Sequence, residues 1–446
     1  MKDLTQGSVA RHLIGLAGFL GVSMLLQTLY FLVDLYFVSA LGGATIAGVG
    51  LAGNLMFVTL ALTQVLAVGT TTLIAQAAGR KDQADAQAIF NQSCLLSLLT
   101  GLGVFVLGTL LQKPYARALS ADEATFTAAV QYLQWLVPAF SLQFLMVSIG
   151  SALRATGIAK PSMVIQMMTV GLNAILAPVL IAGWGTGRPM GAAGAGLATF
   201  AAVLLGVISL SIYFARHSKF VHLEPAQWTP RGQVLKRLTA IGLPAGGEFL
   251  IMALYSGMVY AVIRHKGADA QAGFGVGVRL MQSMFLPVMA ISMAASPVAA
   301  QNFGARRADR VRETFRVACW LAAALMAVLT VLCHLSPETM VRWFTPEAGV
   351  IANGAEYLRI VSWGFLAYGL NVVASSMFQA LGNTWPSLGS STLRLALFGV
   401  AALVISRDPA FPLAHLWMAG ALAGCLQAGF AMSWLRLEFQ KKLEFS

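Results

Sequence analysis

The sequence predicts an all-α polytopic membrane protein, with twelve transmembrane helices in two parallel six-helix repeats. Three observations predict it. Of 446 residues, 58% are hydrophobic and 10% charged, where a soluble domain carries about 25% charged residues; the mean hydropathy is +0.74. Apolar runs long enough to cross a bilayer recur along the whole chain, separated by short polar breaks. Adding 225 to residue numbers of the first half returns matching residues in the second.

The runs place spans at 11–40, 47–79, 87–112, 125–154, 161–183 and 190–215, then at 235–264, 271–303, 313–335, 349–379, 386–407 and 412–437. The first follows a few polar residues and is too long for a signal-peptide core, so it reads as a retained span. The one long polar break, Arg216 to Arg237, lies halfway along the chain. It separates an N-lobe (1–215, spans 1–6) from a C-lobe (235–446, spans 7–12), with a cytoplasmic linker at 216–234.

The offset holds without a gap. Leu29-Tyr30 becomes Leu254-Tyr255, Gly48 and Gly50 become Gly273 and Gly275, and Ala75-Gln76 becomes Ala300-Gln301. Further on, Cys94 becomes Cys319, Tyr132-Leu133 becomes Tyr357-Leu358, Gly157 becomes Gly382 and Pro161-Ser162 becomes Pro386-Ser387. An even number of spans per copy starts both copies on one membrane side, which makes the repeats parallel. With the N-terminus cytoplasmic, 19 of the 29 Lys and Arg residues fall on the inner side, 7 on the outer and 3 within spans. Both termini are therefore expected inside.

The same count explains the net charge of +12 as a topology signal, which excludes nucleic acid as a partner. The four cysteines (Cys94, Cys319, Cys333, Cys425) lie in apolar segments without metal-ligand spacing and read as buried free thiols. No HExxH, GxSxG or P-loop occurs, and the six histidines sit at span ends or in loops. The chain is expected to be no enzyme and no ATP-driven pump, with no metal and no cofactor.

Charge inside the membrane is what remains to explain. Asp34 lies deep in span 1, where an unpartnered carboxylate costs about 2.5–3.5 kcal/mol on insertion scales. Tyr30 at i−4 and Gln27 at i−7 share its face. Asn173 in span 5 and Thr199 in span 6 lie at similar depth, roughly 15 and 14 Å from the outer ends against roughly 9 Å for Asp34 at 1.5 Å per residue. A carboxylate, an amide and a hydroxyl in one slab form a candidate proton- or cation-binding set; helix-to-helix hydrogen bonding is the plainer reading of Asn173 and Thr199.

Glu248 is the other acid well inside a span. It follows Gly242-Leu-Pro244-Ala-Gly-Gly247, which predicts a kink or loosened backbone, and Met252 and Tyr255 share its face. Arg279 and Arg394, both within spans, read as interior salt-bridge or carbonyl partners, Glu248 being one possible counter-charge. Glu356 and Arg359, three residues apart, read as an interfacial ion pair. Gln27, Tyr30, Glu248, Met252 and Tyr255 are the candidate substrate-binding side chains. The 19 methionines and 34 aromatic residues are plentiful enough to line an adaptable apolar cavity.

These residues resemble the multidrug and toxic compound extrusion (MATE) family of cation-coupled antiporters over essentially the whole chain. The likeness rests on the paired six-span halves, on Val33-Asp34-Leu-Tyr-Phe-Val-Ser-Ala-Leu-Gly42, and on Ala75-Gln76-Ala-Ala-Gly79. Arg154-Ala-Thr-Gly157 with Pro161, its echo Gln379-Ala-Leu-Gly382 with Pro386, and Gly242-Leu-Pro244 complete it. The resemblance implies two lobes around a central cleft and efflux of cationic, amphipathic drugs in exchange for H+ or Na+. It carries the span-1 acid to Asp34, the span-5 amide to Asn173 and the span-6 hydroxyl to Thr199. Ala177 stands where the family commonly has Asp, and Asn371 where one branch has Asp; without those carboxylates a desolvated Na+ lacks anionic ligands. The expectation is thus a proton-coupled, DinF-like antiporter of a bacterial inner membrane, a monomer in the lipid bilayer. The alternatives are Na+ coupling, a lipid-linked saccharide flippase, which needs a more basic cleft, and, further off, a membrane enzyme or channel.

Overall fold

The computed structural model describes residues 2–39, 41–185, 187–218, 220–408 and 410–444. The side chains of residues 31, 33–35, 44, 52, 54 and 225 lie outside that description, so the role expected of Asp34 falls outside it too.

Fourteen α-helices follow one another among the described residues. They are α1 (Val9–Ser39), α2 (Gly43–Gly79), α3 (Gln83–Leu119), α4 (Glu123–Ala155), α5 (Lys160–Ile181), α6 (Gly191–His217) and α7 (Gly232–Ile263). Then come α8 (Ala268–Gly304), α9 (Ala308–Leu335), the short α10 (Pro337–Arg342), α11 (Ala348–Val361), α12 (Phe365–Ala380), α13 (Trp385–Ile405) and α14 (Leu413–Lys442). Among the described residues, twelve stretches are long and apolar enough to cross a membrane. The tenth, Ala348–Ala380, is not one continuous α-helix: a 3-10 turn at Ser362–Gly364 separates α11 from α12. The Thr330 hydroxyl of α9 donates to the Ser362 carbonyl at 3.0 Å, satisfying an acceptor at the break.

Local chemistry sets the helix ends. Asp82 caps α3 by accepting from the Asp85 N–H at 2.9 Å, and Asp122 caps α4 by accepting from the Thr125 N–H at 2.7 Å. Pro161 and Pro386 open α5 and α13, where a missing N–H is harmless.

The repeat is visible in the backbone. Left-handed residues recur at matched positions: Gly42 (φ 96°) and Gly267 (φ 95°), Lys81 (φ 60°) and Arg306 (φ 57°), Gly157 (φ 76°) and Gly382 (φ 71°). The packing repeats as well. A Cβ on Gly48 would lie 2.8 Å from the Ala129 nitrogen, and one on Gly273 would lie 2.8 Å from the Gly354 nitrogen, the same two positions 225 residues on.

The chain forms two compact units whose seams cut through α1 and α7. One unit holds Gly18–Gly246 with the residues up to Asp3; the other holds Leu4–Ala17 and the chain from Gly247 onward. The second unit keeps the chain's start by hydrogen bonds. Leu4 N–H donates to Gln301 Oε1 at 3.0 Å, and the Arg307 guanidinium donates to the Thr5 carbonyl at 2.7 Å. The first unit keeps the front half of α7 by close packing on α2. A Cβ on Gly242 would lie 2.1 Å from the Val65 carbonyl oxygen, one on Gly246 2.7 Å from that of Ala61, and one on Gly69 2.6 Å from that of Leu238. Gly242 and Gly246 are thus a small-xxx-small pair that lets two backbones touch. α7 is helical throughout Gly232–Ile263 with Pro244 inside it, and the glycines beside that proline serve packing.

The linker is strapped to α3 by three buried amides. Gln92 Nε2 donates to the carbonyls of Gln227 and Thr229 at 2.8 and 2.9 Å, and its Oε1 accepts from Arg231 N–H at 2.8 Å. Asn91 and Gln87 likewise bind the backbone of His222, with Glu224 N–H donating to Asn91 Oδ1 at 2.8 Å. The expected Glu356–Arg359 pair does not form. Arg359 pairs instead with Glu338 of α10 at 2.7 Å, while Glu356 is exposed.

Candidate functional site

In the first unit α1 and α5 bring two of the sequence-predicted polar residues, Tyr30 and Asn173, together. Asn173 is fully buried, and its Nδ2 donates to the Tyr30 hydroxyl at 3.1 Å. Asn173 Oδ1 and the Thr199 hydroxyl are buried without a hydrogen-bond partner among the described residues. Buried oxygens left bare in this way are rare in proteins and are ready to take a proton-bearing or cationic group. One turn beyond Asn173, Ala177 is fully buried in an apolar cluster with Val38, Leu133, Leu136, Ile181 and Ala195. Gln27 is exposed and joins none of these contacts.

In the second unit Glu248 projects from α7 toward α12 and α13. Its Oε2 accepts from the Ser375 hydroxyl at 3.4 Å, and the Ser387 hydroxyl donates to the Ser375 oxygen at 2.6 Å. Glu248 Oε1 is buried without a partner among the described residues. Met252, expected beside it, is 48% exposed. Tyr255 turns to other company: the Arg394 guanidinium carbon lies 4.4 Å from its ring centroid, and the Phe398 ring packs 4.6 Å away. Neither Arg394 nor Arg279 makes the salt bridge expected of it among the described residues. The five ion pairs there lie in loops and at helix ends, and Arg279 is exposed.

Ser375 and Ser387 were not singled out by sequence reasoning. The available signal was the Pro386-Ser387 echo of Pro161-Ser162, which marks a fixed position at the start of α13. Asn371, aligned with a family acid, is partly buried.

A family model described as MatE matches residues 20–179 and 244–405, two segments separated by about one repeat. The chain belongs to the MatE family. Relatives agree along most of its length. It is 26% identical over 385 residues to "Probable multidrug resistance protein YoeA" of Bacillus subtilis (strain 168), covering 85% of this chain and 82% of that one. It is 25% identical over 365 residues to "Multidrug export protein MepA" of Staphylococcus haemolyticus (strain JCSC1435), covering 81% and 79%. A solved MOP superfamily transporter from Pyrococcus furiosus shares the fold with a TM-score of 0.91, 22% identity, and coverage of 100% and 98%. As a MatE protein the chain is a multi-pass membrane transporter and not an enzyme.

Proposed function

We propose that this MatE protein is a proton-coupled multidrug efflux antiporter of the DinF-like branch, working by alternating access in a bacterial inner membrane with both termini cytoplasmic. The multidrug names of the Bacillus and Staphylococcus relatives support a broad substrate range. The substrates are cationic, amphipathic compounds, for which Glu248, with one oxygen unpartnered, offers a counter-charge in the second unit.

The observation that carries the proton reading is position 177. The residue where the family commonly has an acid is here an alanine packed in a buried apolar cluster. Desolvating Na+ requires a shell of oxygen ligands with anionic character, and this position supplies none. A proton needs only one acid and neutral acceptors. In this reading Asp34 is the coupling acid, and Asn173 and Thr199 supply the acceptors. Protonation from outside neutralises Asp34, which removes the cost of its charge in low dielectric and favours release of the cation outward. Loss of the proton inward resets the acid.

The test is reconstitution into vesicles with proton and sodium gradients imposed separately. The expected result is export of a fluorescent cation driven by the proton gradient alone, and abolished by Asp34→Asn. Undiminished proton-driven export in that variant overturns Asp34 as the coupling acid; export driven only by sodium overturns the choice of ion.

A further inference from the structure

Arg394 has no role in the coupling scheme above, and its setting is unusual. It lies near the middle of α13, where an arginine at membrane depth costs several kcal/mol. No hydrogen bond or ion pair engages its guanidinium among the described residues, and Nε is buried without an acceptor. The Tyr255 ring 4.4 Å away offsets part of that cost, on the order of 2 kcal/mol for a desolvated contact. Glu248, in the same unit, is hydrogen-bonded to Ser375 and forms no ion pair with it.

The repeat shows that helix packing does not demand this charge. The position 225 residues earlier is Thr169, whose hydroxyl is satisfied by the Gln166 carbonyl at 2.8 Å within its own helix. Arg394 instead lines a cavity of about 40 Å³ together with Tyr368, Gln427, Phe285 and Phe365. At roughly 10–15 Å³ per water-sized occupant, that is room for about three heavy atoms, the size of a carboxylate. Gln427 is buried and held by its Nε2, which donates to the Ser391 hydroxyl at 3.2 Å.

One guanidinium balances one negative charge. A carboxylate meets that condition and matches the planar fork, whereas a phosphate dianion would leave net charge in a low-dielectric interior. The same unit also holds Glu248 Oε1 without a partner, so it presents one positive and one negative group that form no ion pair with each other.

We propose that Arg394, beside Gln427 and Tyr368, receives the carboxylate of zwitterionic substrates. The assignment rests on the drug-export reading. It makes Arg394 a specificity residue that separates carboxylate-bearing substrates from their esters.

The experiment uses the full chain in detergent and two probes, rhodamine B, which carries a free carboxylate, and its methyl ester. Binding is read by fluorescence anisotropy. The ratio of affinities, acid over ester, is expected to fall about tenfold in Arg394→Gln, the loss of one charge-assisted bidentate contact. It is expected to fall less in Arg394→Lys, which keeps the charge without the fork and covers the case in which the glutamine variant does not fold. An unchanged ratio in the folded variants overturns the assignment, as does binding of the ester alone by the unaltered chain. Binding of neither dye by the unaltered chain overturns the drug-export reading itself, and the assignment with it.

Discussion

Asn173 donates a hydrogen bond to the Tyr30 hydroxyl at 3.1 Å, and the pair 225 residues on, Tyr255 and Phe398, meets at 4.6 Å between ring centroids. One geometric relationship thus carries polar chemistry in one repeat and aromatic packing in the other. The duplicated backbone plan holds the partners in place, and the side chains have diverged on it. Replacing Asn173 by Ala removes one buried hydrogen bond, worth about 1 kcal/mol. The expected outcome is a modest loss of thermal stability and a much larger loss of proton-driven export, measured at matched folded protein in vesicles. A transport loss no greater than the folding loss would reduce Asn173 to helix glue.

The contact of α7 with α2 predicts opposite outcomes for glycines on one helix. Gly242→Ala would place a methyl group 2.1 Å from the Val65 carbonyl oxygen, so the helices must separate. The expected destabilisation is about 1–3 kcal/mol, as for overpacking elsewhere. Gly257, on the same helix, has nothing within 4 Å of its would-be Cβ. Gly257→Ala is expected to be neutral or stabilising by up to about 1 kcal/mol. Thermal unfolding of the two variants in one detergent makes the comparison.

The linker strap yields a local prediction. Gln92→Leu keeps the volume but leaves the Gln227 and Thr229 carbonyls and the Arg231 N–H without their partner. Uncompensated buried groups cost about 1–3 kcal/mol each, though released backbone that reaches water recovers much of it. The expected result is faster tryptic cleavage at Arg231 with little change in global unfolding. Unaltered cleavage would mean that Asn91 and Gln87 hold the linker without Gln92.

Much of this architecture was legible in the sequence, because hydrophobic length is itself the physical requirement for spanning a bilayer. The 225-residue offset located the matched left-handed positions Gly157 and Gly382, since glycine is what that backbone demands. The break at Ser362–Gly364 was not legible. By length and composition Ala348–Ala380 still reads as one span, and a change of hydrogen-bond register has no length signal of its own. Arg394 was visible as a charge inside a span, but whether an acid stands opposite depends on how α7, α12, α13 and α14 pack. The three amides of α3 carried a signal, Gln87, Asn91 and Gln92 lying close together on a helix otherwise rich in apolar residues. Their partners, backbone groups of an irregular linker, have no sequence signature.

At the N-terminal end of α4, Asp122 ties stability to pH. The Thr125 N–H that it accepts holds its carboxyl below the ordinary value of 3.8. A group whose folded value is depressed contributes above its unfolded value and loses that contribution as pH falls through the folded value. Amide protection in the first turn of α4 is therefore expected to weaken at pH below the usual carboxylate range. Asp122→Asn caps about as well without titrating, so its protection should be flat across that range. Hydrogen exchange corrected for intrinsic rates reads both chains.

Glu248 provides the sharpest separation between binding and folding. Its Oε2 accepts from Ser375, which in turn accepts from Ser387, while Oε1 is left bare. Glu248→Gln is nearly isosteric, keeps an oxygen able to accept from Ser375, and removes the negative charge. If that charge meets the cationic part of a substrate, affinity for the methyl ester of rhodamine B should fall about tenfold or more, the loss of one charge-assisted contact. Ser375→Ala removes only a neutral donor at the long distance of 3.4 Å, so its cost should stay near or below about 1 kcal/mol in folding and about fivefold in affinity. A Ser375→Ala effect as large as that of Glu248→Gln would mean that the serine pair, and not the carboxylate charge, positions the substrate. Equal affinity in Glu248→Gln and the unaltered chain would remove Glu248 from the substrate path altogether.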